Sequence, residues 1–141
     1  MKKYVIDNSD KRKRLIKECD KLASELCLKR DEYTCRYCGR KGNTAHHIFS
    51  RKFASLRWDL NNLLTLCPGC HRYQAHGYGI HTFIDWLKEN VKYELLKIQK
   101  NNYFKTDINN LKLMKIKLGG IKNDVQYDRM QNAWPTNRCR L

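Results

Sequence analysis

The chain has 141 residues, 41% hydrophobic and 30% charged, which places it among folded globular domains and leaves room for one modest core. No apolar run approaches the roughly 20 residues of a membrane span, and the basic opening M-K-K-Y-V-I-D-N-S-D-K-R-K-R lacks the apolar centre of a signal peptide, so no membrane partner and a cytoplasmic location are expected. Lysine and arginine number 29 against 14 acidic residues, a formal charge of +15 that suits a polyanion such as nucleic acid, although ribosomal and membrane-surface proteins share it.

Residues 1–9 read as a polar lead-in, with Ser9 or Asp10 as helix cap. Leu15, Ile16, Cys19, Leu22, Ala23 and Leu26 then follow the stripe of an amphipathic helix. The lysines and arginines on its other face read as solvation, with phosphate contact as the alternative. Cys35-Arg36-Tyr37-Cys38-Gly39 is a metal knuckle, in which Gly39 relieves the backbone behind the two thiols. Thr44 to Phe49 reads as a short strand after the Gly42-Asn43 turn, and Leu63 to Leu66 as a second. The loop between them, residues 50–60, carries Arg51, Lys52, Arg57 and Trp58. Cys67-Pro68-Gly69-Cys70 is the second knuckle, and a helix is expected to start there with His71 near its N-terminus and to end at Gly77 and Gly79. Residues 80–100 look helical with a break at Asn90. Residues 107–118 mix two periods and are assigned to a helix that Gly119-Gly120 ends. His81 falls at a helix start, and Trp134-Pro135 is expected to dock on the body.

These elements divide the chain into a basic N-terminal helix packing on the core (1–34), a metal-framed core (35–78), a helical extension (79–120) and a tail (121–141) without functional signal. The expected fold class is α+β, a small ββα-metal core with flanking helices and little extended sheet.

Seven cysteines are present. Four form two Cys-x-x-Cys pairs: Cys35 with Cys38, and Cys67 with Cys70. Four thiolates from two separated turns suit a tetrahedral structural zinc, closed to substrate because no coordination position stays open. Bound zinc with four thiolates lowers the net charge by about two units and leaves the chain strongly basic. Cys19 and Cys27 fall on the apolar stripe and read as packing residues; Cys139 carries no signal.

Between the knuckles lie His46 and His47. On a strand, neighbours point to opposite faces, so one imidazole can ligate a metal while the other works elsewhere. His71 follows the last knuckle and can return to the same place. Phosphodiester hydrolysis needs a base for water, a cation for the charge on phosphate and leaving oxygen, and a frame that holds them in line. A neutral histidine suits the first near pH 7.

The strings His46-His47-Ile48, Asn62-Leu63-Leu64-Thr65-Leu66 and Cys67-Pro68-Gly69-Cys70-His71 resemble the HNH, or His-Me finger, endonucleases. Fourteen residues separate His47 from Asn62 and eight separate Asn62 from His71, a spacing similar to that of the nuclease colicins. The longer strings A-H-H-I-F-S-R, R-W-D-L-N-N, L-C-P-G-C-H and F-I-D-W-L look like phage-encoded HNH proteins of the NinG recombination type. The resemblance covers roughly residues 20–100. It implies that His47 is the general base, that His46 and His71 hold one catalytic divalent ion, and that Asn62 ties the hairpin and orients the base. It also implies DNA cleavage to 5′-phosphate and 3′-hydroxyl ends, with the helix N-terminus near His71 favouring phosphate.

Two departures from the family pattern matter. Many members carry Asp where His46 stands, and imidazole tilts the ion from Mg2+ toward Mn2+, Ni2+ or Zn2+. The colicin type places a further ligand four residues after the equivalent of His71, where this chain has Ala75. His76 lies one step further and serves only if the helix end bends, so polar surface is its expected role. Arg51, Lys52 and Arg57 are candidate phosphate contacts, with a solvated basic loop as the alternative; Trp58 is expected to pack rather than stack on a base. The leading expectation is a metal-dependent DNA endonuclease. The alternatives are a zinc-stabilised nucleic-acid-binding module without catalysis and, more remotely, a dithiol redox protein.

Overall fold

The structure, a computed structural model, describes residues 7–123; Trp134, Pro135 and Cys139 lie outside the described residues. In order, the elements are α1 (Asn8–Arg30), β1 (Thr44–His47), a short 3-10 turn (Leu60–Asn62), β2 (Leu63–Leu66), a π-helical turn (Cys70–Ala75), α2 (Ile80–Asn90), α3 (Tyr93–Gln99) and α4 (Ile108–Asn123). The α+β class holds, and β1 and β2 form a two-stranded antiparallel hairpin.

Register decides what the hairpin does. His46 pairs with Leu64 and His47 with Leu63. Alternation sends Leu63 and Ala45 to one face and Leu64, Leu66 and His46 to the other. The first face joins a core of Leu15, Cys19, Ala23 and Leu26 from α1, Trp58 and Leu60, and Leu111 and Leu118 from α4. The second joins a core of the four knuckle cysteines with Phe83, Trp86 and Leu87 from α2. One thin hairpin thus separates two cores, and the two adjacent histidines sit on different sides of it.

The stripe expected on α1 is buried as read, and Cys19 and Cys27 are fully buried packing residues. Burial pushes the Cys27 thiol up to about 12, which leaves it inert at neutral pH. The cap is Asp7 rather than Ser9 or Asp10, since its carboxylate accepts from the Ser9 amide. At the other end, Arg30 donates to the carbonyls of Leu60 and Leu63 at 2.7 and 2.8 Å, and Asp31 accepts from the Thr65 amide at 2.9 Å. Arg30, Arg36 and Asp31 are all buried, and both arginines pair with the one carboxylate. This charged clasp locks the end of α1 onto β2.

Three further expectations are corrected. The strand expected over Thr44 to Phe49 ends at His47, because Asn62 captures the backbone of Phe49 with its side chain. The helix expected after the second knuckle is a six-residue π turn, so its end carries no long-helix field for phosphate. Gly119-Gly120 does not end α4, which runs on to Asn123. Leu118 is buried against α1 and Ile121 packs on the same core, and that packing outweighs the roughly 1 kcal/mol each glycine costs in a helix. The break near Asn90 is real, dividing α2 from α3.

Candidate metal and hydrolytic site

The knuckles come together first. Gly39 takes φ 76°, which the turn behind Cys38 requires, and its amide donates to the Cys35 carbonyl at 2.8 Å. The thiols of Cys35, Cys38, Cys67 and Cys70 all lie within 4.8 Å of one another and all four residues are buried. Cys38 Sγ stands 3.7 Å from Cys67 Sγ. Sulfurs at the corners of a tetrahedron with Zn–S of about 2.3 Å stand about 3.8 Å apart, so the donor set fits zinc. Burial alone would raise the Cys38 thiol, but hydrogen bonds from Arg40 outweigh it and bring it down to about 6, close to the thiolate a metal needs.

A second cluster forms one residue later. The side chains of His46, His71 and His76 place a ring nitrogen each within 4.8 Å of the others. Ring centroids are 5.4 Å apart for His46 and His71, 5.1 Å for His46 and His76, and 4.7 Å for His71 and His76. The π turn explains why His76 joins. Its ladder closes from i to i+5 rather than i to i+4, so the fifth residue after His71 comes round to the face that the fourth would occupy in an α-helix. Ala75, in the α position, is buried instead. Gly77 lets the chain turn away immediately: a Cβ there would lie 2.7 Å from the Tyr73 carbonyl oxygen and 2.8 Å from that of Arg72. The bend that His76 required is therefore present: the residue is exposed, as expected, and its ring still reaches the cluster.

The three imidazoles fit a metal in position, and His46 and His71 fit it in charge state as well. Burial, reinforced by His76, His71 and His47, pushes His46 down to about 3, so it is neutral at any physiological pH. Burial and then His76 also lower His71. Neutral imidazoles with free lone pairs are the ligating form.

His47 leaves β1 on the opposite face yet still lines the same cleft. Its Nε2 lies 2.9 Å from the carbonyl oxygen of Arg57. A carbonyl only accepts, so Nε2 carries the proton and Nδ1 keeps its lone pair. Burial lowers the pKa of His47, and the nearby Arg51 guanidinium adds to this against the Arg57 carbonyl. Asn62 is fully buried. It accepts from the Phe49 amide and donates to the carbonyls of Phe49 and Leu56, at 2.8, 3.0 and 3.1 Å. It therefore ties both ends of the loop that bears Arg57, and it reaches His47 only through that loop.

His46, His47, Arg51, His71 and His76 all line one cleft of about 480 Å³, walled on the far side by Ile80, Ile84, Leu87 and Tyr93. Arg51 is exposed there, and Lys52, next in the chain, is exposed as well. Arg57 is placed differently: its guanidinium forks onto Asp20 of α1, Nε to Oδ1 at 2.9 Å and Nη2 to Oδ2 at 2.7 Å. Trp58 is packed, at 3% exposure, and its indole N–H donates to the same carboxylate at 2.8 Å. Sequence reasoning passes over Asp20 because a lone acidic residue on the polar side of a helix carries no local signal for a partner 37 positions away. His81 is exposed at the second position of α2, away from the cluster.

Among the described residues no helix is long and apolar enough to cross a membrane. No curated protein and no solved structure matches the chain. A family model described as HNH endonuclease matches residues 35–76, which begins at the first knuckle cysteine and ends at the third clustered histidine. Hairpin, four-cysteine cluster and family match agree on an HNH-type domain over residues 35–76, which suggests a nuclease-type or nucleic-acid-binding role and a site able to hold metal.

Proposed function

We propose that the protein is a metal-dependent DNA endonuclease that hydrolyses phosphodiesters to 5′-phosphate and 3′-hydroxyl ends. The observation that supports it most directly is the meeting of His46, His71 and His76 in one cleft with His47, whose Nδ1 is left as a proton acceptor. A module that only bound nucleic acid would need neither a triple imidazole cluster nor a histidine held in one tautomer.

The residues take separate tasks. His46, His71 and His76 hold a single divalent ion, which when bound supplies a Lewis acid for charge on the phosphate and the departing 3′ oxygen. Three imidazoles rank Mn2+, Ni2+ and Zn2+ above Mg2+. His47 takes the proton from the attacking water at Nδ1, while the Arg57 carbonyl stabilises the imidazolium that results through Nε2–H. Asn62 keeps the intervening loop in shape, and Arg51 and Lys52 meet the phosphates flanking the cut. The four cysteines hold a structural zinc that frames all of this.

Supercoiled plasmid incubated with Mg2+, Mn2+ or Ni2+ tests the reading. Wild type is expected to nick and linearise it, with Mn2+ or Ni2+ ahead of Mg2+. His47→Ala should slow cleavage by roughly 10²–10⁴-fold, the usual contribution of a positioned base, while still retarding DNA on a gel. If wild type and His47→Ala both retard the plasmid and both leave it intact, the protein is a zinc-stabilised binding module.

A further inference from the structure

We propose that Asp20, on α1 and outside the matched residues 35–76, is a positioning residue for the His47 base; this rests on the nuclease reading above. His47 owes its tautomer to one backbone oxygen, that of Arg57. A carbonyl in a loop points only where its neighbouring side chains are anchored. Asn62 anchors the loop at Phe49 and Leu56, on the near side of residue 57. On the far side the anchor is Asp20. Its carboxylate takes three hydrogen bonds, two from the Arg57 guanidinium and one from the Trp58 indole, all between 2.7 and 2.9 Å.

The geometry leaves little freedom. An arginine–carboxylate fork is directional in a way that a lysine contact is not. Trp58 is sunk in the core shared by α1 and α4, and the Arg57 guanidinium lies over its ring at 5.6 Å. Residues 57 and 58 are thus both pinned to one side chain of α1, and the peptide oxygen between them is aimed by that pinning. Without Asp20 the Arg57 carbonyl can turn away, and His47 then rotates or changes tautomer, which moves the lone pair off the attacking water. Arg57, a candidate phosphate contact by sequence, is in this reading a link between α1 and the base.

The measurement is a double-mutant cycle on the zinc-loaded full chain. Asp20→Ala in the wild-type background should lower kcat on plasmid DNA about 10- to 100-fold, the scale of a catalytic group displaced by about 1 Å, with KM and zinc content near wild type. In the His47→Ala background, read as residual nicking over long incubations, the same substitution should cost nothing further, because the base it serves is gone. Equal losses in both backgrounds, or no loss in the first, overturn the proposal while leaving the nuclease reading intact. If His47→Ala cleaves like wild type, the base assignment itself fails, and this proposal with it. Asp20→Asn, which keeps the shape and one acceptor, covers the case in which Asp20→Ala folds poorly. Nitrogen-15 spectra of the His47 ring should then show a single Nε2–H tautomer in wild type and a mixture in Asp20→Asn; an unchanged tautomer overturns the proposal.

Discussion

His46 is 7% exposed and wedged among His71, His76 and Phe83. Burial holds its folded pKa near 3, whereas an unfolded histidine titrates near 6.5. Between those values only the unfolded chain binds the proton. Stability therefore rises with pH across this window and is lost as pH falls through it, by up to about 1.4 kcal/mol per unit. His46→Phe removes that proton while keeping an aromatic ring beside Phe83. Urea titrations of the zinc-loaded proteins at pH 6.5 and 5, with no second metal, should show the wild type losing roughly 1–2 kcal/mol relative to the variant. Parallel behaviour would mean that the imidazole is hydrated in the fold. The division of His46 and His47 onto opposite faces is legible from sequence, because strand alternation is a rigid rule. The partner of His47 is not: a backbone carbonyl has no letter of its own, and its aim depends on Asp20, far away in the chain.

At the scale of elements, the amphipathic stripe of α1, the hairpin and the break after Asn90 can be read from periodicity and turn residues. The π turn cannot, because a histidine five places on matches neither the helical nor the strand period, and the widening is set by the knuckle and Gly77 rather than by propensity. Local preference ends helix α4 at Gly119-Gly120, and tertiary packing overrides it. Side-chain pairs link α1 to α4 and to the residues just before it in rising order, from Arg12 with Thr106 through Glu18 with Lys115 to Glu25 with Lys122, so the two helices run side by side in the same direction past the glycines. A Cβ built on either Gly119 or Gly120 meets nothing within 4 Å. Gly119→Ala and Gly120→Ala should each stabilise the protein by about 0.5–1 kcal/mol in chemical denaturation. Were the helix to stop at Leu118, the same substitutions would be neutral or destabilising.

For the whole molecule, charge and cleft act together. A surplus of +15 draws any nucleic acid, whatever its sequence, so it accounts for encounter rather than for choice of target. Arg51 is exposed and lines the cleft, and Lys52 is its exposed neighbour in the chain; each should displace a counterion on binding. The slope of log affinity against log salt for duplex DNA should fall by roughly 2 in the double variant Arg51→Ala/Lys52→Ala, about 0.9 for each phosphate that is no longer neutralised. An unchanged slope would put the bound duplex elsewhere on the surface.

Cys70 and His71 are consecutive, so a member of the four-thiol cluster and a member of the three-imidazole cluster are joined by one peptide unit, about 3.8 Å from Cα to Cα. Whatever fixes the first fixes the second. A peroxide that converted the thiols to disulfides would abolish the proposed zinc site, let the π turn unwind, and scatter the imidazoles without reacting with any of them. The proposed hydrolysis is in this sense hostage to the redox state of the compartment in which the protein works.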